Sequence, residues 1–168
     1  EPSKGFHTPL LAELYAQSVL NGNPVKNVMI WQEGKTSKNG KSITYWASSE
    51  TDTSGTTATA TMIKNCVSYY KSNSDKYEVV GNGVYWLQGE SDVSMEPEKY
   101  TKLFMAMWEK LKESGAEYVA FLRLRKGVNY NEAGSLHKDL DYHGSLTAQL
   151  KMINDNLDSG TYRLMIMY

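Results

Sequence analysis

The sequence predicts an α/β fold: a three-layer sandwich in which a mainly parallel sheet carries helices on both faces. Two observations predict it. Segments of helical periodicity alternate with short apolar runs from one end of the chain to the other. The runs are apolar at consecutive residues, the pattern of strands covered on both faces. At 168 residues, 40% hydrophobic and 22% charged, the chain has the balance of one globular domain spanning residues 1–168 with one core.

The elements are expected in the following order. Thr8-Pro9 followed by Leu10, Leu11, Leu14, Tyr15 and Val19 predicts a capped helix with proline at its first position, ended by Asn21-Gly22. Val25, Val28, Met29 and Ile30 predict a strand over residues 24–31. Residues 32–57 are polar and rich in Gly, Ser, Thr and Lys, and read as one long surface loop. Met62, Ile63, Cys66, Val67 and Tyr70 stand at helical spacing over residues 58–70, and an apolar run over 79–87 predicts the next strand. Pro97 opens a helix whose broad apolar face is Tyr100, Leu103, Phe104, Met107, Trp108 and Leu111, stopped by Ser114-Gly115. That stripe serves packing rather than a cofactor. A strand over 118–124, a helix over 146–157 and a strand over 162–168 complete the series.

Bulk properties narrow the function. Lys and Arg number 18 against 19 Asp and Glu, so no strong net field draws in nucleic acid or an anionic membrane, and a neutral partner fits better. The single cysteine, Cys66, excludes an intrachain disulfide and a Cys-rich zinc site, and its apolar flanks predict a buried core thiol. No apolar run reaches the ~20 residues that cross a bilayer, and Glu1-Pro2-Ser3-Lys4-Gly5 lacks a signal-peptide pattern. Gly34-Lys35-Thr36 and Gly40-Lys41-Ser42 echo the end of a P-loop, but its leading glycine is replaced by Met29 and Lys35 respectively. Three histidines and scattered carboxylates show no metal-ligand spacing. Neither a cofactor nor a metal is implied.

The sharpest local signal is the change from Gly83-Val84-Tyr85-Trp86-Leu87 to Gln88-Gly89-Glu90-Ser91-Asp92. In an open α/β sheet, ligands bind beyond the carboxyl ends of the strands, so an amide, two carboxylates and a flexible glycine gather where a site is expected. The competing reading is a helix-starting turn in which Asp92 or Ser94 caps the helix at Pro97.

Trp86-Leu87-Gln88-Gly89-Glu90-Ser91-Asp92 resembles the W-x-Q-G-E-x-D block of the SGNH-type carbohydrate esterases, the family of sialate O-acetylesterases and acetylxylan esterases. Pro24-Val25, Ser42-Ile43 with Trp46, the segment 100–111 and Thr147-Ala148-Gln149 extend the likeness over roughly residues 6–168. The resemblance implies a flavodoxin-like SGNH hydrolase fold and serine-dependent removal of acetyl groups from sugars, which needs a base for the serine proton and fixed donors for the tetrahedral oxyanion. It makes Gln88 an oxyanion-hole amide, Gly89 a point of close backbone approach, and Glu90 an organiser of the site or of the base. Asp92 is a weaker match with a structural role. Gly34 and Gly40 both stand for the second oxyanion glycine, and Trp31, Trp46 and Trp86 suit stacking on a sugar, with burial the alternative for Trp86.

Two blocks of the family are not found: the G-x-S block of the nucleophile and the D-x-x-H block of the base. The resemblance thus implies the central portion of an esterase domain, without the first strand and the C-terminal segment, whose nucleophile and base lie on flanking sequence or a companion chain. Ser91 is no nucleophile elbow, because Val93 replaces the closing glycine. His143, in Asp139-Leu140-Asp141-Tyr142-His143, is a weak candidate base with D-x-H spacing, and a surface or capping histidine is its alternative. His7 is a helix flank and His137 lies in a polar loop. The expected partners are an O-acetylated carbohydrate, with extracellular placement implied by such substrates, and a segment or chain completing the sheet, since an uncovered strand edge invites association. A non-catalytic glycan-binding or assembly module of the same fold is the second expectation.

Overall fold

The computed structural model describes residues 7–22, 41–48, 55–79, 81–92, 94–122, 127–130, 136–140, 143–156 and 161–165. The chain divides into two units, residues 1–32 with 167 and residues 33–166 with 168. The first unit contains helix α1, His7–Leu20. It begins two residues before Pro9 and ends as expected. Gly22 has φ 72°, and its N–H and that of Asn21 bond back to Val19 and Gln17 carbonyls, the left-handed glycine stop that a Cβ disfavours. The predicted strand over residues 24–31, together with Gly34 and Gly40, lies outside the described residues.

In the second unit the expected long loop is corrected. Residues Ile43–Ala47 form a short helix, α2, and the next helix, α3, runs Gly55–Ser72, three residues earlier than periodicity indicated. The cause is tertiary. Ile43 is fully buried in the core, and the carboxyl end of α2 is joined to the start of α3, where Thr56 donates its N–H to Ser48 and its hydroxyl to the Trp46 carbonyl at 2.6 Å. Gly55 makes that approach possible: its φ is 45°, and a Cβ would collide with the Tyr45 carbonyl oxygen.

The main sheet is parallel. Strand β1, Gly83–Trp86, pairs with β2, Tyr118–Leu122, and β2 with β5, Tyr162–Met165, in the order β1-β2-β5. The registers set Gly83 opposite Tyr118, Trp86 opposite Phe121 and Val119 opposite Tyr162. β1 is shorter than the apolar run that predicts it, because residues 77–79 take no regular structure and Leu87 is exposed. Val119, Ala120, Phe121 and Leu122 are all buried; since successive side chains point to opposite faces, both faces of β2 are covered.

Helix α4, Pro97–Glu113, supplies the main apolar face of the described core: Tyr100, Phe104, Met107, Trp108 and Leu111 are buried. The rings of Trp86, Phe104 and Phe121 follow one another at 5.8 and 5.0 Å between centroids. Each large side chain so buried contributes roughly 2 kcal/mol. The predicted stop holds, with Gly115 at φ 109° and its N–H on the Lys112 carbonyl. Helix α5, His143–Asn154, begins three residues before the predicted start and adds Ala148 and Met152 to the core. Cys66 is half-buried, not sealed in the core as its flanks suggest.

Among the described residues the alternation of helix and strand is interrupted where α3 follows α2 and again after β2. Gly127–Tyr130 and Leu136–Leu140 form an antiparallel pair, β3 and β4, separate from the main sheet, with a register irregularity between Gly127 and Asn129. His137 therefore lies on a strand opposite Asn129, not in a loop. The polar sequence of β4 carries no strand signal of its own; its backbone pairing supplies the structure. Among the described residues the fold is broadly α/β, a three-stranded parallel sheet with helices and an added antiparallel pair.

Candidate functional site

The polar turn leaves β1 at its carboxyl end, where a parallel strand delivers the chain to the edge of the sheet. Gly89, at φ 135°, turns the backbone through a conformation that L side chains rarely adopt. Glu90–Asp92 then make one turn of 3₁₀ helix, closed by the Asp92 N–H on the Gly89 carbonyl at 3.0 Å. Among the described residues, no acceptor takes the main-chain N–H of Gly89 or of Glu90.

The side chains of the turn have two fates. Gln88 and Asp92 point inward, 9% and 2% exposed, whereas Glu90 and Ser91 are exposed. Gln88 Nε2 donates to the Lys41 carbonyl at 3.1 Å and, in a short bond, to Asp92 Oδ2. Gln88 Oε1 accepts the Tyr100 hydroxyl at 2.9 Å. Asp92 Oδ2 also accepts the Ile43 N–H at 2.8 Å, across 49 residues of sequence, which explains why residues after Ser42 turn into a helix instead of an open loop. Asp92 Oδ1 is buried and has no partner among the described residues.

From the other side, Gln149 Nε2 donates to the Gln88 main-chain carbonyl at 2.8 Å and to the Tyr100 hydroxyl at 2.9 Å, and Trp86 Nε1 reaches the same hydroxyl at 3.3 Å. Ser145 Oγ donates to the Gly89 carbonyl at 2.8 Å. The first turn of α5 sits so close to the turn that a Cβ on Gly144 would collide with the Met95 carbonyl oxygen and come within 3.2 Å of that of Asp92. Buried polar groups need such partners, because an unmatched one costs about 1–3 kcal/mol. Burial pushes the Tyr100 phenol up to about 12; the Trp86 and Gln149 donors act the other way, and the Asp92 charge adds to the rise.

The capping alternative for this turn is overturned. The N-cap of α4 is Glu96, with no side-chain cap bond, and the buried Asp92 oxygen is engaged by Ile43 and Gln88 instead. The sequence-predicted residues are thus placed as follows. Gln88, Gly89, Glu90 and Asp92 share the turn, but both Gln88 amide protons are used inside the protein, so service as an oxyanion donor requires one of them to be released. Trp46 is half-buried and meets Trp86 edge to face at 5.7 Å between centroids, and Trp86 itself is buried. His143 opens α5 beside Gly144, so its backbone lies next to the turn; its side chain and Gly40 lie outside the described residues.

Ser145 and the backbone of Lys41 were not singled out for the site by sequence, and Ile43, Tyr100 and Gln149 only as matching positions or as part of an apolar helix face. One signal was available: a tyrosine leading an otherwise apolar helix face needs a partner for its hydroxyl, and the polar turn is the nearest source. Compared with known protein families, curated proteins and solved structures, the chain matches none.

Proposed function

We propose that this chain is the central part of a carbohydrate O-acetylesterase domain with a three-layer SGNH-like architecture. In it the turn 88–92 forms the oxyanion side of a serine-dependent site, and the nucleophilic serine and the basic histidine come from sequence outside these 168 residues. The supporting observation is the Gly89–Glu90 main chain. Two consecutive N–H groups without acceptors among the described residues stand at the carboxyl end of a parallel strand, and fixed backbone donors of this kind stabilise a tetrahedral oxyanion. The exposed Glu90 carboxylate beside them is free of internal bonds among the described residues and suits contact with a sugar hydroxyl or with the base. An O-acetylated sugar is the substrate class, and extracellular action on glycans follows from it.

A specific observation favours the second reading, a non-catalytic glycan-binding or assembly module. Gln88 and Asp92 are turned inward and tie the turn to α2, α4 and α5, a scaffold role that needs no chemistry. Hydrolysis of 4-nitrophenyl acetate and of an acetylated sugar by the complete protein separates the two. The esterase reading expects turnover that Glu90→Gln lowers, and no turnover from the 168-residue chain alone. No turnover by the complete protein, or stoichiometric labelling of the isolated chain by a fluorophosphonate, overturns it.

A further inference from the structure

We infer that Tyr100 is a positioning residue of the turn: its hydroxyl, by donating to Gln88 Oε1, locks the Gln88 amide in the inward orientation that the Lys41 carbonyl and the Asp92 carboxylate select. The inference rests on the reading of residues 86–92 as the functional site, and it adds the group that orients that site.

The two ends of a glutamine amide look alike in shape, so its direction must come from its neighbours. Here the neighbours leave one solution. Main-chain carbonyls only accept. Gln149 faces the Gln88 carbonyl and Gln88 faces the Lys41 carbonyl, so both side chains must present nitrogen there. The second amide proton of Gln149 goes to the Tyr100 oxygen, which also receives the Trp86 indole N–H. With two donors on that oxygen, the one phenolic proton is left for Gln88 Oε1. The remaining Gln88 proton then goes to Asp92 Oδ2. A flipped Gln88 would set its oxygen against the Lys41 carbonyl and the Asp92 carboxylate together, and would leave the Tyr100 proton without an acceptor.

Every proton in the relay from Gln149 through Tyr100 and Gln88 to Asp92 is therefore assigned, and α4 supplies the one link, Tyr100, that carries the direction onward. What the turn presents to a ligand is then its main chain and Glu90, because Tyr100 holds the Gln88 amide turned inward. Replacing tyrosine by phenylalanine keeps the ring and removes only the link.

The test is NMR on the isotopically labelled full chain. In the wild type, the Gln88 side-chain amide protons exchange with solvent far more slowly than those of a free glutamine, and the Tyr100 hydroxyl proton gives NOEs to the Trp86 indole and Gln149 amide protons. In Tyr100→Phe, Gln88 loses protection by roughly tenfold or more, while the main-chain protons of Phe104 and Met107 keep theirs. A role confined to packing would leave Gln88 unmoved, since the ring is retained. Unchanged protection of Gln88 in that variant overturns the inference. So does the absence of the hydroxyl NOEs in the wild type, a result that stands even if the variant does not fold. Neither readout requires turnover, so an inactive complete protein would sink the esterase reading and leave this one intact, and loss of the relay in an active protein would do the reverse.

Discussion

Tyrosine occupies two contrasting regions of this molecule. At the start of α4, Tyr100 is sealed in the core and its hydroxyl is held by three side chains. At the end of α3, Tyr69, Tyr70 and Tyr77 lean on one another at 6.0–6.2 Å between ring centroids, with Tyr69 exposed and the other two half-buried. Inside, each hydroxyl bond is obligatory, because no water replaces it; outside, water is an equal partner. The interior group therefore orders the turn after β1, and the rim group is tolerant of change. The two helices follow the same division: α4 buries five large side chains, while α3 buries only Gly55, Thr56 and Thr59.

The contrast can be broken most directly at Asp92. Asp92→Ala leaves the Ile43 N–H and one Gln88 proton buried without an acceptor, an expected loss of roughly 2–5 kcal/mol in urea unfolding. A loss within the range of an ordinary surface change would erase the distinction between the two regions.

Next in size is an alkaline effect. The unfolded phenol gives up its proton near 10 and the folded Tyr100 holds it to about 12, so between those values the folded state binds more proton. Stability is fully present below pH 10 and falls as pH climbs through this window, by roughly 2–3 kcal/mol in all. Tyr100→Phe should flatten that part of the stability curve, and a curve that keeps its alkaline fall in the variant assigns the effect elsewhere.

A smaller effect is expected where the rim meets the core. Burial pushes the Cys66 thiol up, with its bond to Tyr70 opposing. At pH 8 the folded protein should react with a thiol reagent several-fold more slowly than after unfolding in urea, the thiolate being the reactive form. Equal rates would mean that Cys66 is as open as a free thiol. The smallest effect belongs to Tyr69, whose phenol is raised chiefly by its bond to Tyr77. Tyr69→Ala should leave the thermal midpoint within about two degrees of the wild type; a large drop would show that the rim is structural after all.

Much of the fold was legible in the residues. The apolar stripe of α4 and its Ser114-Gly115 stop, the left-handed Gly22 after α1, and the three runs that form the parallel sheet follow from periodicity and turn chemistry, which act within a few residues of chain. The boundaries that moved did so for distant causes. α2 exists where a loop was expected because Ile43 is held by Asp92 from across the chain. α5 starts early because Gly144 and Ser145 meet the turn after β1. β3 and β4 depend on each other for their hydrogen bonds and have little local preference for strand.

For the candidate site, residue type and position beside an apolar strand were sufficient to locate the polar turn at residues 88–92 with a flexible glycine in it; that Gly89 turns the backbone at positive φ is a structural finding. By itself the sequence determined α1, α3, α4, α5 and the three strands of the parallel sheet to within a few residues, and the place where polar groups gather, because those depend on propensities and periods within one stretch of chain. Only the tertiary structure decided that Gln88 and Asp92 face inward while Glu90 faces out, and that Tyr100 joins them. A hydrogen bond between separate elements, from 12 positions apart for Tyr100 and Gln88 to 61 for Gln149 and Gln88, leaves no local pattern; it exists once the sheet end, α4 and α5 have been brought together.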